Sequence, residues 1–127
     1  MKVFNNKFSV SDRLKSIGYA WDGLKIMLIE EHNFRVHLFV LISVILASFA
    51  LHIDKNEWLT ILLATGFVFS MEIMNTAIEN LSDFITDERN AAMKKIKDLS
   101  AAAVLVSAII AIVAGLIIFL PKVLALI

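Results

Sequence analysis

Three apolar segments occupy most of the chain between Val36 and Leu120, and they leave few choices of fold. The first runs from about Val36 to Leu51, the second from Trp58 to Leu81 and the third from Leu99 to Leu120. A helix needs ~20 apolar residues to cross a bilayer. The second and third segments reach that length, and the first reaches it when Phe34 and its polar flanks extend it to the interface. At 59% hydrophobic residues and a mean hydropathy of +0.80, the chain reads as a membrane protein rather than a soluble domain. The expected fold class is all-α integral membrane: an N-terminal amphipathic surface helix plus three transmembrane helices. They form one domain over residues 1–127, with the surface helix at about 9–31 and spans at about 34–52, 58–81 and 99–120.

Lys and Arg fix the expected orientation. Six precede the first span (Lys2, Lys7, Arg13, Lys15, Lys25, Arg35) and four lie between the second and third (Arg89, Lys94, Lys95, Lys97). Only Lys55, in the tight turn His52 to Glu57, and Lys122, past the third span, lie on the other side. By the positive-inside rule the N-terminus and the charged connection from Ser82 to Asp98 are cytoplasmic, and the C-terminus faces out. The first thirty residues lack the apolar core of a signal peptide, so the internal spans are expected to direct insertion. Pro121 is expected to close the third span.

Two helical patterns accompany the spans. Leu14, Ile17, Trp21, Leu24 and Leu28 recur every three or four residues between Ser9 and Glu31, as in a helix lying on the membrane. Ser9 or Ser11 is the expected cap, and Tyr19 and Trp21 suit the headgroup level. In the third span Ser100, Ala103, Ser107, Ala111 and Ala114 form a stripe of small residues. Such a stripe either lets another helix approach closely or reflects ordinary alanine-rich composition.

The second span carries the chemistry. Fourteen uncharged residues, Trp58 to Met71, lead into Glu72, Asn75 and Glu79, which share a helix face, and Asp83 extends the stripe by a turn. An ionisable group inside a span costs ~2.5 kcal/mol or more and usually marks function. Topology brings these acids near Glu30, Glu31, Arg35 and the Lys94 to Asp98 run. Carboxylates that hold Mg²⁺, with Lys to offset phosphate charge and a further carboxylate as base, are what phosphoryl transfer needs. The same acids would equally serve a proton or ion pathway.

Several classes are excluded. Without Cys there is no disulfide or thiolate chemistry. Twelve basic and twelve acidic residues give no net field for nucleic acid. Gly occurs only at 18, 23, 66 and 115, so neither a GxxxxGK[ST] loop nor a GxGxxG turn is present. His32, His37 and His52 lack zinc spacing, and His37 is read as an interfacial residue.

The string Glu72-Ile73-Met74-Asn75-Thr76-Ala77-Ile78-Glu79, then Asp83 and Lys97-Asp98 with small residues after it, resembles the prokaryotic diacylglycerol kinase family, which includes the undecaprenol kinases. Gly18-Tyr19-Ala20-Trp21-Asp22-Gly23-Leu24 and Glu31-His32-Asn33-Phe34-Arg35 agree, and the likeness runs from about residue 11 to 122. The resemblance implies an ATP- and Mg²⁺-dependent kinase of the bacterial inner (cytoplasmic) membrane. It would phosphorylate the hydroxyl of a lipid alcohol and work as a homotrimer with sites between neighbouring chains. By the same resemblance Glu72 is the general base and Asn75 shapes it. Glu31 and Glu79 bind the metal with ATP, and Tyr19, Glu88, Lys97 and Asp98 contact the nucleotide. Two departures stand out. The family's early basic residue falls at Asp12, with Arg13 one place later, and Asn90-Ala91 replaces a frequent proline. Asn33 to His37 and Lys94 to Asp98 look more like the undecaprenol branch than the diacylglycerol one. The competing readings are a small oligomeric proton or cation transporter built on Glu72 and Glu79, and a non-catalytic membrane partner.

Overall fold

The computed structural model describes residues 8–86 and 90–127. They form four helices in chain order: α1 Val10–Glu30, α2 His32–Ala50, α3 Lys55–Ile85 and α4 Ala91–Leu124. Among them α2, α3 and α4 are long and apolar enough to cross a membrane.

Three of the four helices, α1, α3 and α4, start on a side-chain cap, while α2 starts at Glu31 without one. Ser9 accepts the Asp12 backbone N–H at 3.3 Å to open α1, and Asp12 adds a negative charge in the first turn. Glu31 ends α1 and begins α2 in an extended conformation, so it forms the corner between them. Arg35 holds that corner. Its guanidinium donates to the carbonyls of Leu28 at 3.2 Å and Ile29 at 2.8 Å, two of the acceptors left open at the end of α1. Between α2 and α3 the chain turns through His52, whose φ of 50° is left-handed, and into a capping box. Asp54 accepts from the N–H groups of Asn56 at 2.7 Å and Glu57 at 2.9 Å, while Glu57 accepts from that of Asp54 at 2.7 Å.

Most of the charged connection from Ser82 to Asp98 is helical: α3 continues to Ile85 and α4 already begins at Ala91. The ends of the apolar runs mark the reach of lipid and not the ends of the helices, because Ala91-Ala92-Met93 and the lysines are good helix formers. Asn90 opens α4 by accepting the Ala92 N–H at 2.8 Å, so the residue found where a proline is frequent serves as a cap. Pro121 does not end α4, which runs on to Leu124. A proline removes a single N–H donor, and this last turn is tied down by Lys122, 3.1 Å from Glu57 at the start of α3.

Packing is concentrated between α3 and α4, with α2 against α3 over a shorter stretch and α1 touching α2. Ile53, Ile61 and Ile118 form a core beside the α2–α3 turn, joined by Val44, Leu51, Trp58 and Phe119. Elsewhere contact depends on small residues. Ser48 is 0% and Ser107 1% exposed, and each gives its hydroxyl to a carbonyl of its own helix. They thus allow close approach without stranding a polar group. Within the small-residue stripe of α4, Ser100 and Ser107 are buried, whereas Ala103 is exposed. Most apolar residues of α1, Leu14, Ile17 and Trp21 among them, stay exposed within the chain, whereas Met27 near its end is buried.

A prediction follows for Ser107. Ser107→Leu overfills the contact and is expected to destabilise the fold by about 1–3 kcal/mol, read as a lower melting temperature in detergent. Ser107→Ala removes only a local hydroxyl and should melt like the parent; equal melting of both variants would show that Ser107 does not set the helix approach.

Candidate active site

The polar stripe of α3 is divided between two neighbouring helices. Glu72 is 4% exposed and meets α2, where its Oε1 lies 2.9 Å from Nε2 of His37. Three residues on, Asn75 meets α4. Its Nδ2 donates to Oε1 of Glu79 at 3.1 Å, and its Oδ1 accepts the hydroxyl of Ser100 at 2.7 Å. The buried base candidate thus has an imidazole for a partner, while Asn75 holds the more open carboxylate of Glu79. Thr76 and Ser82 are buried on the same helix, and Ser82 gives its hydroxyl to the Ile78 carbonyl.

Aromatic packing braces His37, the partner of Glu72. Phe34, itself buried, meets the Phe69 ring edge-on at 5.0 Å, and His37 meets the same ring at 6.5 Å. His37 also lines a cavity of about 380 Å³ between α2, α3 and α4, walled mainly by apolar residues such as Val40, Val44, Val68 and Ile112. The hydroxyl of Thr65 in that wall is already given to the Ile61 carbonyl at 2.7 Å.

Charge gathers where α3 ends and α4 begins. Lys97 reaches across to Asp83, while its neighbour Asp98 pairs along α4 with Lys94. The Lys94–Asp98 pair is largely solvent-exposed and the Lys97–Asp83 pair only partly so, with Lys97 half-buried, and exposed ion pairs contribute only ~0–1 kcal/mol. Among the remaining sequence candidates, Tyr19 is 72% exposed on α1 and Glu31 stands half-buried at the α1–α2 corner. Glu88 lies outside the described residues. Arg13 places its guanidinium 5.8 Å from the centre of the Phe8 ring, at the start of α1. Among the described residues, no three His, Asp or Glu side chains cluster to hold a metal by themselves.

Sequence reasoning missed two contacts. His37 was taken for an interfacial residue, yet it is the partner of Glu72; Ser100 was counted only in the small-residue stripe, yet it bonds Asn75. A signal for the first was present, since His37 is the one ionisable side chain between Val36 and Leu51 and an acid inside a span calls for a partner. Nothing local singles out Ser100 from the other small residues.

Three helices fit to span a bilayer, with carboxylates set among them and lysines at their ends, define an α-helical membrane protein with an acid–amide–base seam. The family model of prokaryotic diacylglycerol kinase matches residues 18–119. The undecaprenol kinase of Bacillus subtilis is 40% identical over 108 residues, covering 85% of this chain and 88% of that protein. A diacylglycerol kinase of Escherichia coli K12 is 33% identical over 110 residues, 86% of this chain and 89% of the relative. One from Synechocystis is 35% identical over 114 residues, 89% of this chain and 65% of that longer protein. The chain belongs to the prokaryotic diacylglycerol kinase family. Its named relatives are phosphotransferases with an alcohol acceptor.

The Ser100 contact yields a prediction. Ser100→Ala leaves the Asn75 carbonyl without its partner and is expected to cost about 1 kcal/mol of stability, seen as a lower melting temperature. Unchanged melting would mean that Asn75 is held by Glu79 alone.

Proposed function

We propose that this chain is a lipid kinase that moves the γ-phosphate of ATP to the hydroxyl of a membrane alcohol at the cytoplasmic interface. The observation that carries the reading is Glu72: a buried carboxylate inside an apolar helix, one turn from the Asn75–Glu79 pair, in a chain of this family. Helix lengths supply the depth. At 31 residues α3 extends about 46 Å, against ~30 Å of hydrocarbon. With Trp58 at one interface the bilayer ends near Ile78, which puts Glu72 about 9 Å inside and Glu79 at the edge. A water-soluble nucleotide and an insoluble alcohol meet only at such a boundary.

In this reading Glu72 takes the proton of the lipid hydroxyl as its oxygen attacks the γ-phosphorus in line. Asn75 orients the carboxylate beside it. Glu31 and Glu79 offer hard oxygen donors of the kind Mg²⁺ prefers, and this ion takes only one or two protein carboxylates alongside phosphate oxygens. When bound, Mg²⁺ would offset the phosphate charge. Tyr19, Glu88, Lys97 and Asp98 contact the nucleotide, with Lys97 and Asp98 exchanging their present partners for it.

The single domain of residues 1–127 would place α1 along the membrane surface of the bacterial inner membrane, with the N-terminus cytoplasmic and the C-terminus outside. Its exposed Leu14, Ile17 and Trp21 would sit against lipid. Three chains would associate, sharing sites between neighbours, and the exposed Ala103 of α4 offers a close-approach surface. The preferred alcohol is undecaprenol, with diacylglycerol the second choice. The Asn33 to His37 and Lys94 to Asp98 segments support that order, as does the 40% identity to an undecaprenol kinase against 33% to a diacylglycerol kinase. No observation favours the transport reading.

Glu72→Gln keeps the shape of the side chain and removes the base. It is expected to lower lipid phosphorylation by about 10²–10⁴-fold while leaving the melting temperature and oligomeric state intact. Glu79→Gln is expected instead to raise the Mg²⁺ concentration needed for half-maximal rate. Wild-type turnover by Glu72→Gln would remove the role given to it.

A further inference from the structure

Glu72 and His37 are 35 residues apart in sequence, on different helices, and their side chains meet at 2.9 Å. For Glu72 to serve as a base its carboxylate must be ionised; in that state it only accepts hydrogen bonds, and the contact then requires Nε2 of His37 to carry the proton and donate it. The bond sits among apolar and aromatic side chains, where little water competes and an electrostatic bond is strengthened. The imidazole is itself fixed on α2, edge-on to Phe69, which is braced in turn by the buried Phe34.

We propose that His37 is the positioning residue for Glu72, and this rests on the kinase reading above. By occupying Oε1, the imidazole fixes the plane of the carboxylate and leaves Oε2 as the oxygen free to receive the hydroxyl proton. A glutamate side chain has three rotatable bonds, and in a span otherwise poor in donors Glu72 needs one fixed donor to hold a single rotamer. His37 therefore acts through Glu72 and needs no contact with the phosphate. Its effect belongs to the chemical step rather than to binding, because a displaced base impairs attack while leaving both substrates bound.

The test uses the full chain in mixed micelles with His37→Gln, His37→Asn and His37→Leu. The amide nitrogen of Gln reaches the place of Nε2, whereas that of Asn stops one bond short, so two polar amides differ only in reach. His37→Gln should keep kcat within a few-fold of wild type. His37→Asn and His37→Leu should lower it about 10–100-fold with KM for ATP and lipid unchanged, the scale expected for a lost bond to a charged group. In ¹⁵N-histidine spectra, Glu72→Gln should move the His37 imidazole resonance more than those of His32 and His52. Equal kcat for the Gln and Asn variants, or an unmoved His37 resonance, would overturn the role. Should His37→Leu fail to fold, the Gln and Asn comparison still decides. A wild-type chain that phosphorylates no lipid would overturn the kinase reading and this role together, whereas an active wild type matched by an active His37→Asn would overturn this role alone.

Discussion

A carboxylate placed inside an apolar helix must find a partner or lose its charge, and the arrangement around α3 follows from that requirement. Glu72 is met from α2 by His37, and Asn75 links Glu79 to Ser100 of α4. Among the described residues, no buried side-chain nitrogen or oxygen lacks a hydrogen-bond partner. The same contacts that satisfy the polar groups therefore specify which face of each helix turns inward. Apolar packing contributes little such direction in a bilayer, where lipid tails are as good a neighbour as leucine.

Helix length converts this seam into a graded site. α3 and α4 exceed the thickness of the hydrocarbon, so each has one part suited to lipid and one suited to water. Along a single helix face the acids pass from Glu72, buried against His37, through the half-buried Glu79, to the exposed Asp83 paired with Lys97. Chemistry that joins a lipid alcohol to a charged nucleotide needs that gradient. α3 carries such a gradient along its length, and the ion pairs of Lys97 and Asp98 lie beside its charged end.

Much of this was legible in the residues alone. Three apolar runs specified the three long helices, and the i, i+3, i+7 spacing placed Glu72, Asn75 and Glu79 on one side of α3. Of Ser9 and Ser11, the two expected cap candidates, Ser9 opens α1. The extension of α3 and α4 beyond the apolar runs is not legible from hydropathy, which marks where lipid ends and not where a helix ends, although Ala91 to Asp98 has good helix propensity. Pro121 misled for a related reason: whether a proline stops a helix depends on what holds the next turn, and the Lys122–Glu57 pair is a contact between distant residues. His37 and Ser100 were missed because partners on other helices leave no local period. Arg35 was counted for orientation, while its closing of α1 depends on the bend at Glu31.

The central claim is that the seam on α3 transfers phosphate to a lipid hydroxyl. Its most direct test is incubation of the wild-type protein with γ-labelled ATP and Mg²⁺ in mixed micelles, with undecaprenol and diacylglycerol supplied side by side. Label entering the lipid phase, more into undecaprenol than into diacylglycerol, is the predicted result. A folded protein that labels neither lipid would contradict the account.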